Sequence, residues 1–333
     1  MTQPTYTLYT MDNSPYSDKI RALLTYKKSP FVEHTENIET RFSVLQARTG
    51  KTMVPVVITP EGEAWNDSTT IAALLEKRHP SPATRWNDRS MDAVAMLLED
   101  YADEWLVRIM LASRWYHAAD AAQNAAIIAT GMTHGLFGID FQRAAKDFPP
   151  GIISTVPKMG ATPENADAWY AMVPRILGAM ATVLGSSEFL TGSRPHLCDF
   201  AFYGMLNQIR RDPTGYAWIT SGPKPVLEWL ARLETSAKEG GTAGNGAPLA
   251  DASALVPLVR EAAQTYFRMS AANARAVDTG SKDPVRVALA GDFLFEAPPA
   301  KYNRKILDAN LAIMRSAQLP APLAPLLAAE LQP

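Results

Sequence analysis

The sequence predicts an α/β domain, then an all-helical domain, then a helical extension, and three observations carry this prediction. The chain has 333 residues, more than one ordinary hydrophobic core supports. Short strand-like runs alternate with helical periodicity up to about residue 80, and helical periodicity then dominates. We therefore expect one domain over residues 1–80, a second over residues 89–240 and a C-terminal extension over residues 250–333.

In the first domain the predicted order of elements is β-α-β-α-β-β-α. The strands are short apolar runs bounded by turn residues, and the helices have apolar residues at helical spacing. The first two strands should be parallel, as a right-handed β-α-β connection requires, and the last two should form a hairpin. The expected elements are the strand Tyr6–Thr10, the helix Pro15–Lys28, the strand Phe31–Glu36, the helix Glu39–Arg48, two strands within residues 54–67 and the helix from Ser68.

The second and third units are predicted to be mostly helical. After the linker His79–Asp88, apolar residues share one helix face from Met91 to Ile109, and another helix starts near Asp199. The Gly- and Ala-rich segment Glu239–Asp251 is predicted to be flexible. The extension should contain the helix Leu255–Ala274, a β-hairpin around the turn Ala290–Asp292 and the helix Lys301–Ala317.

Composition and charge argue against several classes of function. A formal net charge of -2 provides no basic field for nucleic acid. No apolar run reaches the ~20 residues of a membrane span, and the N-terminus lacks the basic and apolar regions of a secretory signal. The single cysteine, Cys198, excludes an internal disulfide, and the five histidines lack metal-ligand spacing. We therefore expect a cytoplasmic protein without a metal, a membrane or a nucleic-acid partner.

The first candidate site is the start of the helix that follows the first strand. Ser14 and Pro15 are a favoured N-cap and a favoured first helical residue, so the pair fits an ordinary helix start. The same geometry suits thiol chemistry, because a helix N-terminus offers free N–H groups and a positive dipole end to a thiolate. Serine ionises too weakly to be the nucleophile, so the sulfur would come from a ligand and the Ser14 hydroxyl would donate to it.

Two further motifs stand at the starts of predicted elements. Val54-Pro55 opens a strand, where the proline forms either a rigid turn or a cis peptide bond that leaves the Val54 backbone free to pair with a peptide. Asp67-Ser68 opens a helix, either as an ordinary N-cap or as a carboxylate site. In the second case Ser68 and the backbone would donate, and Asp67 would accept from an ammonium group.

The ordered set of Ser14, Val54-Pro55 and Asp67-Ser68 resembles the glutathione transferase superfamily. The resemblance implies an α/β thioredoxin-like N-terminal domain plus an all-α C-terminal domain, with glutathione as co-substrate and a homodimer as the assembly. It implies that Ser14 is the catalytic serine of a serine-type member. It also implies that Val54 and a cis-Pro55 bind the cysteinyl part of glutathione and that Asp67 and Ser68 bind its γ-glutamyl part.

The sequence departs from the superfamily's pattern in three places. The segment "GSRPHLCDFAF" resembles a capping box of the helical domain, but His196 stands three residues before Asp199, where Ser or Thr is usual. Met53 occupies the place of a lysine that often precedes the cis-proline, with Lys51 two positions earlier. The extension exceeds the usual length and would either cover the active site or lengthen a dimer contact.

The resemblance implies that a glutathione thiolate, stabilised at Ser14, attacks a small and apolar electrophilic substrate. Tyr9 is the rival hydroxyl, because tyrosine-type classes place theirs at the end of the first strand. Tyr101, Trp105 and Arg108 share a helix face and belong either to the electrophile pocket or to the core. Etherase, dehalogenase and isomerase variants of this chemistry remain open. The alternative function is a non-catalytic, transferase-like binding or interaction protein.

Overall fold

The N-terminal domain is a four-stranded sheet with helices, seen in a computed structural model that describes residues 5–241 and 246–331. Its strands are β1 (Tyr6–Thr10), β2 (Phe31–Thr35), β3 (Val56–Ile58) and β4 (Ala64–Asn66), and its helices are α1 (Pro15–Tyr26), α2 (Ile38–Thr40), α3 (Ala47–Thr49) and α4 (Ser68–Arg78). A π-helical segment, Arg41–Gln46, joins α2 to α3. The strand order is β2-β1-β3-β4.

The directions of the strands agree with the sequence-based expectation. Strand β1 pairs parallel with β2 and antiparallel with β3, and β3 forms a hairpin with β4. Helix α1 packs its apolar residues, Ile20, Leu23 and Leu24 among them, against this sheet and the helical domain, so that all three are fully buried. The predicted α/β thioredoxin-like arrangement of the N-terminal domain is confirmed.

The helical domain begins with one long helix that contains a π segment. Helices α5 (Arg89–Tyr101) and α6 (Val107–Tyr116) continue into each other through the π segment Ala102–Leu106. Such segments occur frequently at functional sites. The other helices are α7 (Ala118–Thr133), α8 (Phe141–Asp147), α9 (Pro149–Ile153), α10 (Ala166–Tyr170), α11 (Met172–Leu184), α12 (Leu197–Arg211), α13 (Pro213–Thr220) and α14 (Lys224–Glu239), with 3₁₀ turns at Pro157–Met159 and Pro163–Asn165.

The extension folds back onto the helical domain. Its elements are a 3₁₀ turn (Ala252–Leu255), α15 (Val256–Ala262), a π segment (Ala263–Phe267), α16 (Arg268–Asp278), β5 (Val285–Leu289), β6 (Phe293–Ala297), α17 (Lys301–Ser316) and α18 (Ala324–Glu330). Helix α15 packs against α11, and α17 packs against both α16 and α5. The predicted order of helix, hairpin and helix is therefore found, and α17 reaches the first helix of the preceding domain.

A glycine allows the two domains to approach closely at the start of α1. Helix α12 packs along α1. A Cβ atom on Gly204 would lie 2.4 Å from the carbonyl oxygen of Pro15. Only a residue without a side chain fits this contact, so Gly204 helps to fix where the N-terminus of α1 stands relative to the helical domain.

Two expectations fall partly outside the described residues. They are the flexibility of Glu239–Asp251 and the lack of a secretory signal at the N-terminus, because residues 1–4, 242–245 and 332–333 are not among those described. Within the two described ranges, no helix combines the length and the apolar character that crossing a membrane requires.

Candidate functional site

A cavity of about 370 Å³ is lined by the N-terminal domain, by α5 with its π segment and by α17. This volume lies within the range of small-molecule sites, about 300–1,000 Å³. Two of the three sequence-predicted motifs, Val54-Pro55 and Asp67-Ser68, line this one cavity. Lys51 and Met53, the residues at which the chain departs from the superfamily's lysine, line it as well.

The Val54-Pro55 peptide bond is cis, as the resemblance implied. Pro55 is buried, Val54 is half-buried, and β3 begins directly after them at Val56. Proline therefore stands just before the strand, where its missing N–H removes no hydrogen bond from the ladder. Both residues line the cavity.

Asp67 is strained at the start of α4. Its backbone has φ 71° and ψ 119°, and its carboxylate accepts a hydrogen bond from the Thr70 N–H at 3.0 Å. A non-glycine residue with positive φ costs on the order of 1–3 kcal/mol, and such strain clusters at functional sites. The N–H groups of Ser68 and Thr69 belong to the first turn, which has no intrahelical acceptors. The Ser68 hydroxyl donates to Asp103 Oδ2 at 3.4 Å.

Ser14 caps α1, as the sequence predicted, and its hydroxyl accepts from the Ser17 N–H at 3.2 Å. Within the described part of the chain, however, α1 lines the cavity through Tyr16, and Ser14 lies outside the lining. The Tyr16 hydroxyl donates to the carbonyl of Asp103 at 2.9 Å. The rival Tyr9 also lies outside the lining and stacks on His34, with ring centroids 5.5 Å apart.

The three residues expected in an electrophile pocket lie in the core instead. Tyr101 and Trp105 are fully buried, Arg108 is 3% exposed, and all three stand outside the cavity lining. The Trp105 ring packs on Trp169 with centroids 4.8 Å apart, and Arg108 Nη1 donates to the carbonyl of Met159 at 2.6 Å. Helical spacing allowed both placements. The structure corrects the pocket assignment because the extension covers this face of the helix.

Sequence reasoning missed a buried ionic cluster beneath the cavity. Lys19 Nζ lies 2.5 Å from Glu99 Oε1 and 2.6 Å from Asp103 Oδ2, and the lysine is 1% exposed. The Thr69 hydroxyl donates to Glu99 Oε1 at 2.8 Å, so the cluster joins α1, the start of α4 and α5. Two acids at i, i+4 in an apolar helix were the available signal, but their partner Lys19 lies 80 and 84 positions away in the sequence.

Burial governs the protonation of the acidic wall, which is the set of carboxyl side chains that line the cavity: Asp67, Glu99, Asp100, Asp103 and Glu104. Burial raises the pKa of Asp103 to about 7, while Lys19 opposes this shift and Glu99 adds to it. Burial likewise raises the pKa of Asp100 well above its usual range and raises the pKa of Glu104. Burial alone would lower the pKa of Lys19, but the two carboxylates beside it raise it above its usual value. The wall therefore carries less negative charge at neutral pH than its acids suggest.

Helix α17 contributes one wall of the cavity and is held by polar contacts. The Tyr302 hydroxyl donates to Glu104 Oε1 at 2.9 Å. Asn310 Nδ2 and the Tyr266 hydroxyl each donate to Asp100 Oδ2 at 2.6 Å. Of the two roles that the sequence left open for the extension, covering the site is the one that matches these contacts.

The capping box at the start of α12 forms despite its unusual residue. Asp199 Oδ2 accepts from the His196 N–H at 2.9 Å, and His196 Nδ1 accepts from the Cys198 N–H at 3.3 Å. The other ring nitrogen lies 2.9 Å from Asp92 Oδ1, so Nε2 carries the proton and donates. Burial lowers the pKa of His196. Cys198 is fully buried, and among the described residues no cluster of His, Cys, Asp and Glu could hold a metal ion.

Two family models match the chain in the order that the fold requires. The model of the glutathione S-transferase N-terminal domain matches residues 8–83, and the model of the C-terminal domain matches residues 163–232. Residues 8–83 and 163–232 are thus similar to the two domains of the glutathione transferase superfamily. No curated protein matches the chain.

Solved structures share the fold at low identity. The β-etherase LigF from Sphingobium sp. strain SYK-6 is 17% identical, with a TM-score of 0.50 over 69% of this chain and 94% of that chain. A glutathione S-transferase from Methylobacterium radiotolerans, in complex with glutathione sulfonate, is 20% identical, with a TM-score of 0.45 over 72% of this chain and 96% of that chain. At these identities the likeness concerns the fold alone.

Proposed function

We propose that this chain is a glutathione transferase that binds glutathione in the cavity and directs its thiolate at an apolar electrophile. The observation that carries the proposal is the meeting of Val54-Pro55 and Asp67-Ser68 in one cavity at the N-terminus of α4. The free N–H groups and the dipole of that helix end favour a carboxylate. The γ-glutamyl carboxylate of glutathione would lie there, with the Ser68 hydroxyl as a further donor.

The acidic wall is compatible with an anionic peptide because several of its carboxyl groups have raised pKa values and are partly protonated at neutral pH. Asp67, Glu99, Asp100, Asp103 and Glu104 all line the cavity, and fully ionised they would repel glutathione. Since burial raises the pKa of three of them, and Lys19 contacts two, the repulsion is reduced at neutral pH.

The thiolate would lie near the start of α1, where Ser14 is our candidate for its hydrogen-bond donor. Lowering a thiol pKa by about two units takes roughly 2.7 kcal/mol. One charge-assisted hydrogen bond together with a helix dipole supplies an amount of this order. Because Tyr16 lines the cavity from the same turn, its hydroxyl is the competing donor. Tyr9, stacked on His34, is the weaker rival.

Calorimetric titration with glutathione tests the proposal. Ser68→Ala should weaken binding about tenfold or more, as expected when a hydrogen bond to a charged group is lost. Ser43→Ala, which removes an exposed hydroxyl bonded to the Glu39 carbonyl, is the matched control and should bind normally. Absence of heat from the native protein at millimolar glutathione would refute the proposal in favour of a non-catalytic interaction protein.

Comparing Ser14→Ala with Tyr16→Phe shows which hydroxyl donates a hydrogen bond to the glutathione thiolate. The thiolate absorbance of bound glutathione, followed against pH, gives the thiol pKa in each variant. Ser14→Ala should keep glutathione binding and raise that pKa, whereas Tyr16→Phe should leave it unchanged. The reverse pattern would transfer the role to Tyr16. The homodimer that the resemblance implies is also part of this proposal, and sedimentation equilibrium measures it.

A further inference from the structure

The turn that precedes α1 is held by the helical domain through its backbone carbonyl groups. Gln208 Nε2 and Arg211 Nη1, both on α12, each donate to the carbonyl oxygen of Asp12 at 2.9 Å. Arg114 Nη1, on α6, donates to the carbonyl oxygen of Asn13 at 2.7 Å. Three side chains of the helical domain thus converge on the two peptide groups that come directly before the N-cap of α1.

Arg114 is the centre of this arrangement, because all three of its side-chain nitrogens have an acceptor. Besides the bond to the Asn13 carbonyl, Nε donates to Asp212 Oδ2 at 2.9 Å and Nη2 donates to Gln208 Oε1 at 3.1 Å. Arg114, Gln208 and Asp212 are each at most 2% exposed. Asn124 Nδ2 donates to the other Asp212 oxygen at 2.8 Å. The guanidinium group therefore has a fixed orientation inside a buried polar cluster.

The peptide group between Asn13 and Ser14 decides where the Ser14 side chain points. The carbonyl that Arg114 holds and the nitrogen of Ser14 belong to the same planar unit. That nitrogen donates to the carbonyl of Met11 at 3.0 Å, so both sides of the peptide group are bonded and its plane is fixed. A hydrogen bond weakens steeply when its angle departs from linear. A small rotation of this peptide group would therefore weaken the proposed contact between the Ser14 hydroxyl and the thiolate.

We propose that Arg114 is a positioning residue, which holds the turn before α1 so that the Ser14 hydroxyl meets the glutathione thiolate. This inference rests on the proposed function and names the part that the helical domain takes in it. Arg114 lies outside the cavity lining, so it acts through the turn and not by touching the ligand. Lysine cannot take its place, because a single ammonium group lacks the planar fork that reaches three acceptors.

The experiment measures the thiol pKa of bound glutathione, from its thiolate absorbance against pH, and the glutathione affinity by calorimetry. Arg114→Lys keeps the positive charge and removes the fork. It should raise the thiol pKa by about one unit, which corresponds to one hydrogen bond. The affinity for the thiol form, measured at a pH below that pKa, should stay within about twofold of the native value. The proposed contacts of Val54-Pro55 and Asp67-Ser68 lie at the starts of β3 and α4 and are left in place.

Because Arg114 is buried, Arg211→Ala supplies a second test at an exposed position. It removes one of the two donors to the Asp12 carbonyl and should raise the thiol pKa by about half a unit, the low end for one hydrogen bond. Arg210→Ala is the matched control. It removes the same charge from the neighbouring residue, which binds Glu234 instead of the turn, and should leave the thiol pKa unchanged.

A double-mutant cycle tests whether Arg114 acts through Ser14. Ser14→Ala already removes the proposed donor, so adding Arg114→Lys to it should raise the thiol pKa no further. A further rise of about one unit in the double variant would show that Arg114 affects the thiolate by its own field, and the positioning role would be overturned. The same cycle with Arg211→Ala answers the question if Arg114→Lys does not fold.

Glutathione binding by the native protein separates the two proposals. If the native protein does not bind glutathione, the proposed function fails and this inference fails with it. If it binds glutathione and lowers the thiol pKa, but Arg114→Lys and Arg211→Ala only lower the unfolding midpoint, the positioning role alone is overturned. A raised thiol pKa in both variants and not in Arg210→Ala, with the affinity for the thiol form retained, supports the inference.

Discussion

Replacing Lys19 by methionine should remove the cation that holds two buried carboxylates together beneath the candidate site. Methionine keeps the length and the apolar stem of the side chain, so the substitution changes mainly the charge. Lys19 is 1% exposed and lies 2.5 Å from Glu99 and 2.6 Å from Asp103. Breaking a buried ion pair by removing one partner costs about 3–5 kcal/mol. We expect a loss of unfolding free energy in that range near neutral pH.

The loss should depend on pH with a defined sign. Without Lys19, the pKa of Asp103 in the folded state rises further above its value in the unfolded chain, because Lys19 opposes the effect of burial. A carboxyl with a raised folded pKa contributes stability below its unfolded pKa and loses it as pH rises through the folded pKa. The deficit of Lys19→Met relative to the native protein should therefore be smaller near pH 4 than near pH 7. Adding Asp103→Asn should recover part of it, since one unpaired charge is gone.

Urea unfolding followed by tryptophan fluorescence measures these differences, with the free energy extrapolated to water. Lys224→Met is the matched control, because Lys224 pairs with Glu228 at the surface and such pairs contribute little. A loss for Lys19→Met below about 1 kcal/mol, or one that is equal at both pH values, would refute the idea of a desolvated cluster. Since Thr69 and Ser68 bind the same carboxylates, the variant should also weaken glutathione binding.

Three further changes have defined outcomes. Gly204→Ala, which brings a Cβ to 2.4 Å from the Pro15 carbonyl, should cost about 1–3 kcal/mol in urea unfolding through overpacking, and an unchanged midpoint would contradict the contact. Asp199→Ala leaves three buried N–H donors without an acceptor and should lower the free energy of unfolding by about 3 kcal/mol or more. A loss below about 1 kcal/mol would contradict this role of Asp199. Burial raises the pKa of Glu36 to about 7, although Arg41 opposes it. The contribution of Glu36 to the free energy of unfolding should therefore fall as the pH rises from about 4 to about 7, by at most roughly 1.4 kcal/mol per pH unit. Glu36→Gln should remove this contribution. Equal pH slopes in the native protein and the variant would contradict the prediction.

Features that depend on neighbouring residues were predictable from the sequence. The Ser14 cap of α1, the start of α4 at Ser68 and the bond from Asp199 to the His196 N–H all form as expected. Each involves groups within three positions, so local stereochemistry and capping chemistry decide them. The element order, the hairpins and the resemblance to the superfamily follow in the same way, because they rest on periodicity and on short motifs in a fixed order.

The tertiary structure alone decided which side chains face the cavity. Tyr101 and Trp105 are on a helix surrounded by protein, so the apolar spacing could not distinguish a pocket face from a core face. Lys19 meets its carboxylates across 80 and 84 positions, and Tyr302 meets Glu104 across 198. Such contacts form only when whole domains and the extension pack together, and the energy that selects them comes from burying distant apolar surfaces, which no local pattern encodes.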